Sequence, residues 1–160
     1  WFSGKIRKQS KDQINAYNLK NENSLNEVKK ARCLKILIAE DNPINQKVAQ
    51  INLKSLGHEV EIAKNGTECV AMYQKKTYDI ILMDIQMPEM DGIEATAKIR
   101  GIETSSDSVQ RIPIVALTAN ALTGDKERFM KAGMDDHLAK PFKPKGLIEI
   151  FEKHIADYYL

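Results

Sequence analysis

One stretch limits the fold more than any other: Tyr78-Asp79-Ile80-Ile81-Leu82-Met83-Asp84-Ile85-Gln86-Met87-Pro88. Its apolar run, Ile80 to Met83, is short and mostly branched, so it predicts a strand buried on both faces. Such strands belong to parallel sheets covered by helices. The run stops on Asp84, and Pro88 with Asp91-Gly92 then marks a loop. A carboxylate at the C-terminal end of a buried strand lies where open α/β sheets hold their ligands.

The flanking sequence repeats a strand-then-helix alternation. Leu34 to Ala39 predicts a first strand ending at Glu40-Asp41. Asn42-Pro43 then reads as an N-cap with Pro at the first helical position. Val48, Ile51, Leu53 and Leu56 supply that helix's expected buried face, and Gly57 closes it. His58 to Ala63 predicts a second strand, Asn65-Gly66 a turn, and Thr67 to Lys76 a helix with Val70 and Tyr73 inward. After the Asp84 loop, Gly92 to Gly101 predicts a helix facing inward through Ile93, Ala97 and Ile99, followed by a polar loop over Thr104 to Gln110. Ile112 to Leu117 predicts a fourth strand ending at Thr118, and Thr123 to Ala132 a helix closed by Gly133. Asp136 to Ala139 predicts a short fifth strand ending at Lys140-Pro141, and Lys145 to Tyr158 a final amphipathic helix. Five strands alternating with five helices imply an α/β, doubly wound parallel sheet. Right-handed crossovers favour the flavodoxin-like order 2-1-3-4-5.

In that order strands 1, 3, 4 and 5 are neighbours, so Glu40, Asp41, Asp84, Thr118 and Lys140 converge on one pocket. Three carboxylates in one place repel and push at least one pKa upward unless a cation compensates. Oxygen donors with open positions suit Mg²⁺, which keeps waters and takes phosphate oxygens. Lys140 supplies a charge for an anion and Thr118 a hydroxyl donor. Such a pocket suits a phosphoryl group on Asp84. A cis Lys140–Pro141 bond, inexpensive before proline, would aim Lys140 inward.

From Leu34 onward the chain resembles response-regulator receiver domains. The resemblance rests on Glu40-Asp41, on Asp84 followed by Met87-Pro88 and Asp91-Gly92, on Thr118-Ala119, and on Lys140-Pro141-Phe142, in order over about 125 residues. It implies that Asp84 accepts a phosphoryl group from a histidine of a sensor kinase or a histidine phosphotransfer protein. It also implies Mg²⁺ bound by Asp41, Asp84 and the Gln86 main-chain carbonyl, with Glu40 acting through water, while Thr118 and Lys140 contact phosphoryl oxygens. The same resemblance makes Thr118 and His137 the switch pair, His137 standing where Tyr or Phe is commoner. Gln86 and Asn120 occupy positions that tune dephosphorylation, and the surface of the fourth helix, fifth strand and fifth helix is the one that changes. Glu40 to Gln46 is similar to receivers of hybrid sensor histidine kinases, and Trp1-Phe2 to the last strand of a kinase ATP-binding domain. The receiver would thus catalyse its own phosphorylation and slow dephosphorylation, within a parent kinase.

Charge divides the chain. Residues 1–33 hold 8 Lys/Arg against 3 Asp/Glu, whereas residues 34–160 hold 16 against 19. The first stretch reads as a basic polar linker, part-helical at most through Ile14, Tyr17, Leu25 and Val28. The second, 34–160, reads as the receiver, whose acidic balance gives no support for nucleic-acid binding. No apolar run reaches membrane-spanning length. Cys33 and Cys69 match neither a metal site nor a disulfide scaffold, and a cytoplasmic setting fits them. His58 and His154 are expected at the surface, and Asp135-Asp136 in a turn. Two rival functions bear weighing. An aspartyl-phosphate phosphatase needs a second Asp two positions after the nucleophile, where this chain has Gln86. A pseudo-receiver that binds partners without phosphorylation would lack one of the pocket residues, all of which are present.

Overall fold

The computed structural model describes residues 29–107, 110–119 and 123–160. Five strands and five helices alternate in them: β1 (Lys35–Ala39), α1 (Pro43–Ser55), β2 (Glu59–Ala63), α2 (Gly66–Lys75), β3 (Ile80–Asp84), α3 (Gly92–Ser105), β4 (Ile114–Thr118), α4 (Thr123–Lys131), β5 (Asp136–Ala139) and α5 (Pro144–His154). The sheet is parallel throughout, in the order β2-β1-β3-β4-β5. All five residues of β3 and of β4 are buried, the outcome of helices covering both faces. Side chains alternate across the sheet. Leu37, Ala39, Ile81, Met83, Ile114 and Ala116 face one core with Cys69, Ala95, Ile99 and Phe129. The intervening residues, Ile36, Ile38, Ile80, Leu82, Val115 and Leu117, are buried on the other face.

Polar side chains start three of the helices. The Asn42 side chain accepts from the Ile44 and Asn45 amides, Asn65 from Glu68, and Asp91 from Glu94. Each satisfies backbone donors that the first turn leaves unpaired.

The chain divides into two units, Arg32–Tyr158 and Trp1–Ala31 with Tyr159–Leu160. In the second, Ala31 and Tyr159 form an antiparallel bridge, and the Leu160 amide donates to the Lys30 carbonyl at 2.9 Å. The linker reading of residues 1–28 and the Trp1-Phe2 match lie outside the described residues.

Several sequence expectations are corrected. In α1 the buried residues are Ala49 and Leu53, while Val48 and Ile51 are 46% and 59% exposed. The apolar residues of this helix span two faces, and only one meets the sheet. Ala97 is exposed, with Ala95, Thr96 and Ile99 inward instead, and α3 runs on through Gly101 to Ser105. The last helix stops at His154. After it, Asp157 takes a positive φ of 56° and turns Tyr158 back into the core. Room for Tyr158 comes from His58, which is buried and not at the surface. Its Nδ1 accepts from the Leu34 amide at 3.2 Å, its Nε2 lies 3.3 Å from the Tyr158 hydroxyl, and Phe151 meets its ring edge-on. His154 is likewise half-buried, on Asp136. Nor are Asp135 and Asp136 plain turn residues. Asp135 holds Arg100, Arg111 and the Ile114 amide, and Asp136 holds Lys153, His154 and the His137 amide.

Candidate functional site: an acidic cleft at the strand ends

Strand register assembles the site. Ala39 pairs with Met83, Asp84 with Leu117, and Thr118 with Ala139. The residues at or just past these pairs, Glu40, Asp84, Thr118 and Lys140, therefore emerge together along the C-terminal edge of the sheet. The Lys140 amide also donates to the Thr118 carbonyl at 2.8 Å, and the Lys140–Pro141 peptide is cis.

Lys140 Nζ lies 2.6 Å from Glu40 Oε2 and 2.9 Å from Asp84 Oδ2. Glu40 is 2% exposed, Asp84 7% and Thr118 8%, so the charges face one another in a partly desolvated place. Burial pushes the Asp84 carboxyl up from its ordinary value, and the neighbouring Glu40 adds to this, outweighing Lys140. Burial acts on Glu40 in the same sense, but Lys140 and the Asn42 amide outweigh it and hold Glu40 low. Burial also works against the Lys140 charge, yet its two carboxylate partners raise its pKa and keep it cationic.

Asp41 is exposed beside them, and Glu40, Asp41 and Asp84 each offer a carboxylate oxygen within 4.8 Å of the others. This all-oxygen set, open to water on the Asp41 side, fits a hard divalent cation of the Mg²⁺ kind. The Gln86 amide donates to Asp84 Oδ1 at 3.3 Å, which draws the start of the β3–α3 loop over the cleft. That cleft, of about 400 Å³, is lined by Asp41, Asp84, Gln86, Thr118 and Lys140 among others.

His137 lies in β5 opposite Ala116, with its side chain 28% exposed and its Nδ1 3.8 Å from Asp136. Asn120 lies outside the described residues. Asn42, read from the sequence only as a helix cap, also lines the cleft, as do Asn45, Asp125, Arg128 and Phe129, none of which that reading placed in the site. Gln46, outside the lining, donates its side-chain amide to the Glu40 carbonyl at 2.7 Å and pins the residue that follows β1. The i, i+3 spacing of Asp125 and Arg128 on α4 was the available signal.

Fold and site together define a class, and the chain belongs to the response regulator receiver domain family, which matches residues 36–152. Receiver domains are the phosphoryl-accepting modules of two-component and phosphorelay signalling. Among curated proteins, hybrid signal transduction histidine kinase I of Dictyostelium discoideum is 44% identical over 129 residues, covering 78% of this chain and 7% of that protein. Sensor protein GacS of Pseudomonas syringae is 38% identical over 123 residues, covering 77% of this chain and 14% of its own length. The chain thus spans a small part of the relatives it matches. Among solved structures, the receiver domain of a Pseudomonas aeruginosa sensor histidine kinase, with a magnesium ion coordinated in its active site cleft, is 44% identical. It superposes with a TM-score of 0.68 over 78% of this chain and 98% of that one. The receiver domain of Ssk1, crystallised with the Saccharomyces cerevisiae histidine phosphotransfer protein Ypd1, comes from a complex matched at 32% identity and a TM-score of 0.72. That match covers 80% of this chain and 93% of the other.

Proposed function

We propose that Asp84 accepts a phosphoryl group from a phosphohistidine. The observation that carries this reading is the gathering of the Glu40, Asp41 and Asp84 carboxylates within 4.8 Å, with Lys140 held between Glu40 and Asp84. In the transfer, an Asp84 carboxylate oxygen forms the new bond to phosphorus. The phosphorus–nitrogen bond of the donor breaks, and its electron pair returns to the imidazole. Catalysis of this kind is mainly positioning and charge compensation. Lys140 neutralises charge on the phosphoryl oxygens, and the Thr118 hydroxyl, at the end of β4, donates to one of them. Asp41, Asp84 and the Gln86 carbonyl would hold Mg²⁺, with Glu40 acting through water. When bound, the cation supplies the positive charge that lets the acidic cleft receive an anion. His137 would respond to movement of Thr118, and the face of α4, β5 and α5 carries the change.

For the partner we propose a helical domain that presents the histidine, docking on α1. Ile44, Val48 and Ile51 are 74%, 46% and 59% exposed there, at helical spacing and next to the cleft residues Asn42 and Asn45. The parent protein is proposed to be a hybrid histidine kinase, with residues 1–33 as linker and 34–160 as receiver. A cytoplasmic position for this domain accords with the described helices, none of which is long and apolar enough to cross a membrane.

The test is intact-protein mass spectrometry after incubation with acetyl phosphate, with and without Mg²⁺, on wild type and Asp84→Asn. One phosphoryl adduct is expected, dependent on Mg²⁺ and absent from the variant. An unmodified wild type, both here and with a phosphorylated histidine protein, would reject the reading.

A further inference from the structure

The cleft holds more negative than positive charge before any phosphoryl group arrives. Four carboxylates line it, from Glu40, Asp41, Asp84 and Asp125, against two cations, Lys140 and Arg128. Lys140 is already engaged, 2.6 Å from Glu40 and 2.9 Å from Asp84. Arg128 is not. Its side chain is exposed and makes no hydrogen bond or ion pair with the described residues. It also lines a second, shallower cavity of about 390 Å³ together with Asp41, Gln86, Pro88 and Asp91. Arg128 therefore lines both hollows, as Asp41, Ile85 and Gln86 do, and shares the first of them with Asp84.

We infer that Arg128 recognises the phosphoryl donor. Its guanidinium forms paired hydrogen bonds to two non-bridging oxygens of the incoming phosphoryl group and keeps them on the aspartyl phosphate, tying α4 to the modified site. The inference rests on Asp84 being the acceptor. A guanidinium suits the role because its planar fork matches two phosphate oxygens and it sheds water more readily than an ammonium. The group it would meet carries a charge of about −1.5 to −2. Lys140, shared between two carboxylates, compensates only part of that. The competing use of Arg128 is an ion pair with Asp125, one turn earlier on the same helix.

The experiment measures initial rates of acetyl phosphate labelling against donor concentration at fixed Mg²⁺, by intact mass, for wild type, Arg128→Ala, Arg128→Lys and Asp84→Asn. Arg128→Ala should raise the half-saturating donor concentration about tenfold, the factor that 1.4 kcal/mol of binding represents. The maximal rate should change less than about twofold, and the response of half-saturation to added salt should flatten. Arg128→Lys should recover part of the loss, since it keeps the charge and loses the fork. A half-saturation in Arg128→Ala equal to wild type, with Asp84-dependent labelling intact, overturns this inference alone and leaves Arg128 to Asp125. Labelling that persists in Asp84→Asn, or a wild type left unmodified both by acetyl phosphate and by a phosphorylated histidine protein, overturns the acceptor assignment and this inference together.

Discussion

Asp136 shows how a carboxylate outside the cleft holds the fold. Burial alone pushes its carboxyl up, but the His154 and Lys153 donors and the His137 amide overcome this and hold it at about 2, against an ordinary 3.8. A depressed carboxylate pKa contributes stability that is present above the unfolded value and lost as pH falls through the folded one. Between about pH 4 and pH 2 this residue should therefore cost the fold on the order of 2 kcal/mol, at 1.36 kcal/mol per pKa unit. Asp136→Asn, followed by urea denaturation across that range, should show a shallower acid limb than wild type. His58 acts at a higher pH. Burial lowers its pKa, with Asp79 opposing, so the unfolded chain takes up the proton first. Its contribution is complete above the unfolded value of about 6.5 and is lost as pH falls toward the folded value. The imidazolium cannot accept from the Leu34 amide, so His58→Phe should remove the stability step that begins just below neutrality.

Among the elements, the β3–α3 loop is the most tightly constrained. A Cβ on Gly92 would fall 2.1 Å from the Asp84 carbonyl oxygen, and one on Gly66 would fall 2.5 Å from the Met90 carbonyl oxygen. Both obstacles are backbone, which cannot step aside without moving the loop that carries Gln86. The Gly92 and Gly66 amides bond to the Ile85 and Met90 carbonyls at 3.0 and 3.2 Å, so the close approach is also a tie. Gly92→Ala should destabilise the fold by at least about 2 kcal/mol and weaken calorimetric Mg²⁺ binding. Gly66→Ala, one layer further out, should do the same to a smaller degree. Helix α1 presents the opposite case. Its outward residues Ile44 and Ile51 are more than half exposed, so Ile44→Ser and Ile51→Ser should change unfolding free energy by no more than about 0.5 kcal/mol. The same variants should slow transfer from a phosphorylated histidine protein while leaving acetyl phosphate labelling at the wild-type rate. Equal effects on both donors would remove α1 from the docking surface.

For the molecule as a whole, the acidic cleft is a region where folding tolerates repulsion for the sake of binding. A cation bound there should couple to the stability of the entire Arg32–Tyr158 unit, because its oxygens come from the β1–α1 loop, the end of β3 and the β3–α3 loop. A ligand at a hundredfold its dissociation constant adds about 2.7 kcal/mol. Mg²⁺ should thus raise the urea midpoint of the wild type, a chelator should return it, and Asp41→Ala should abolish the response. A midpoint indifferent to Mg²⁺ in the wild type would remove the cation from the proposed site.

The strand and helix periodicities, the helix-starting Asn42, and the carboxylates at the strand ends were all legible in the chain. Each depends on neighbours a few residues away, where chain geometry dictates which side chains meet. The family pattern added an order and spacing that converge once the sheet is parallel. What sequence could not decide was which of two apolar faces meets the core, as Val48 and Ile51 show, because both faces of α1 satisfy a helical period. It could not foresee His58 as a buried support, since its partners, Leu34 and Tyr158, are far from it along the chain. Nor could it place Arg128 at the cleft, where only the packing of α4 against β4 and β5 brings it. Local rules follow from covalent neighbours, whereas charge pairing and exposure depend on which distant surfaces the sheet order draws together.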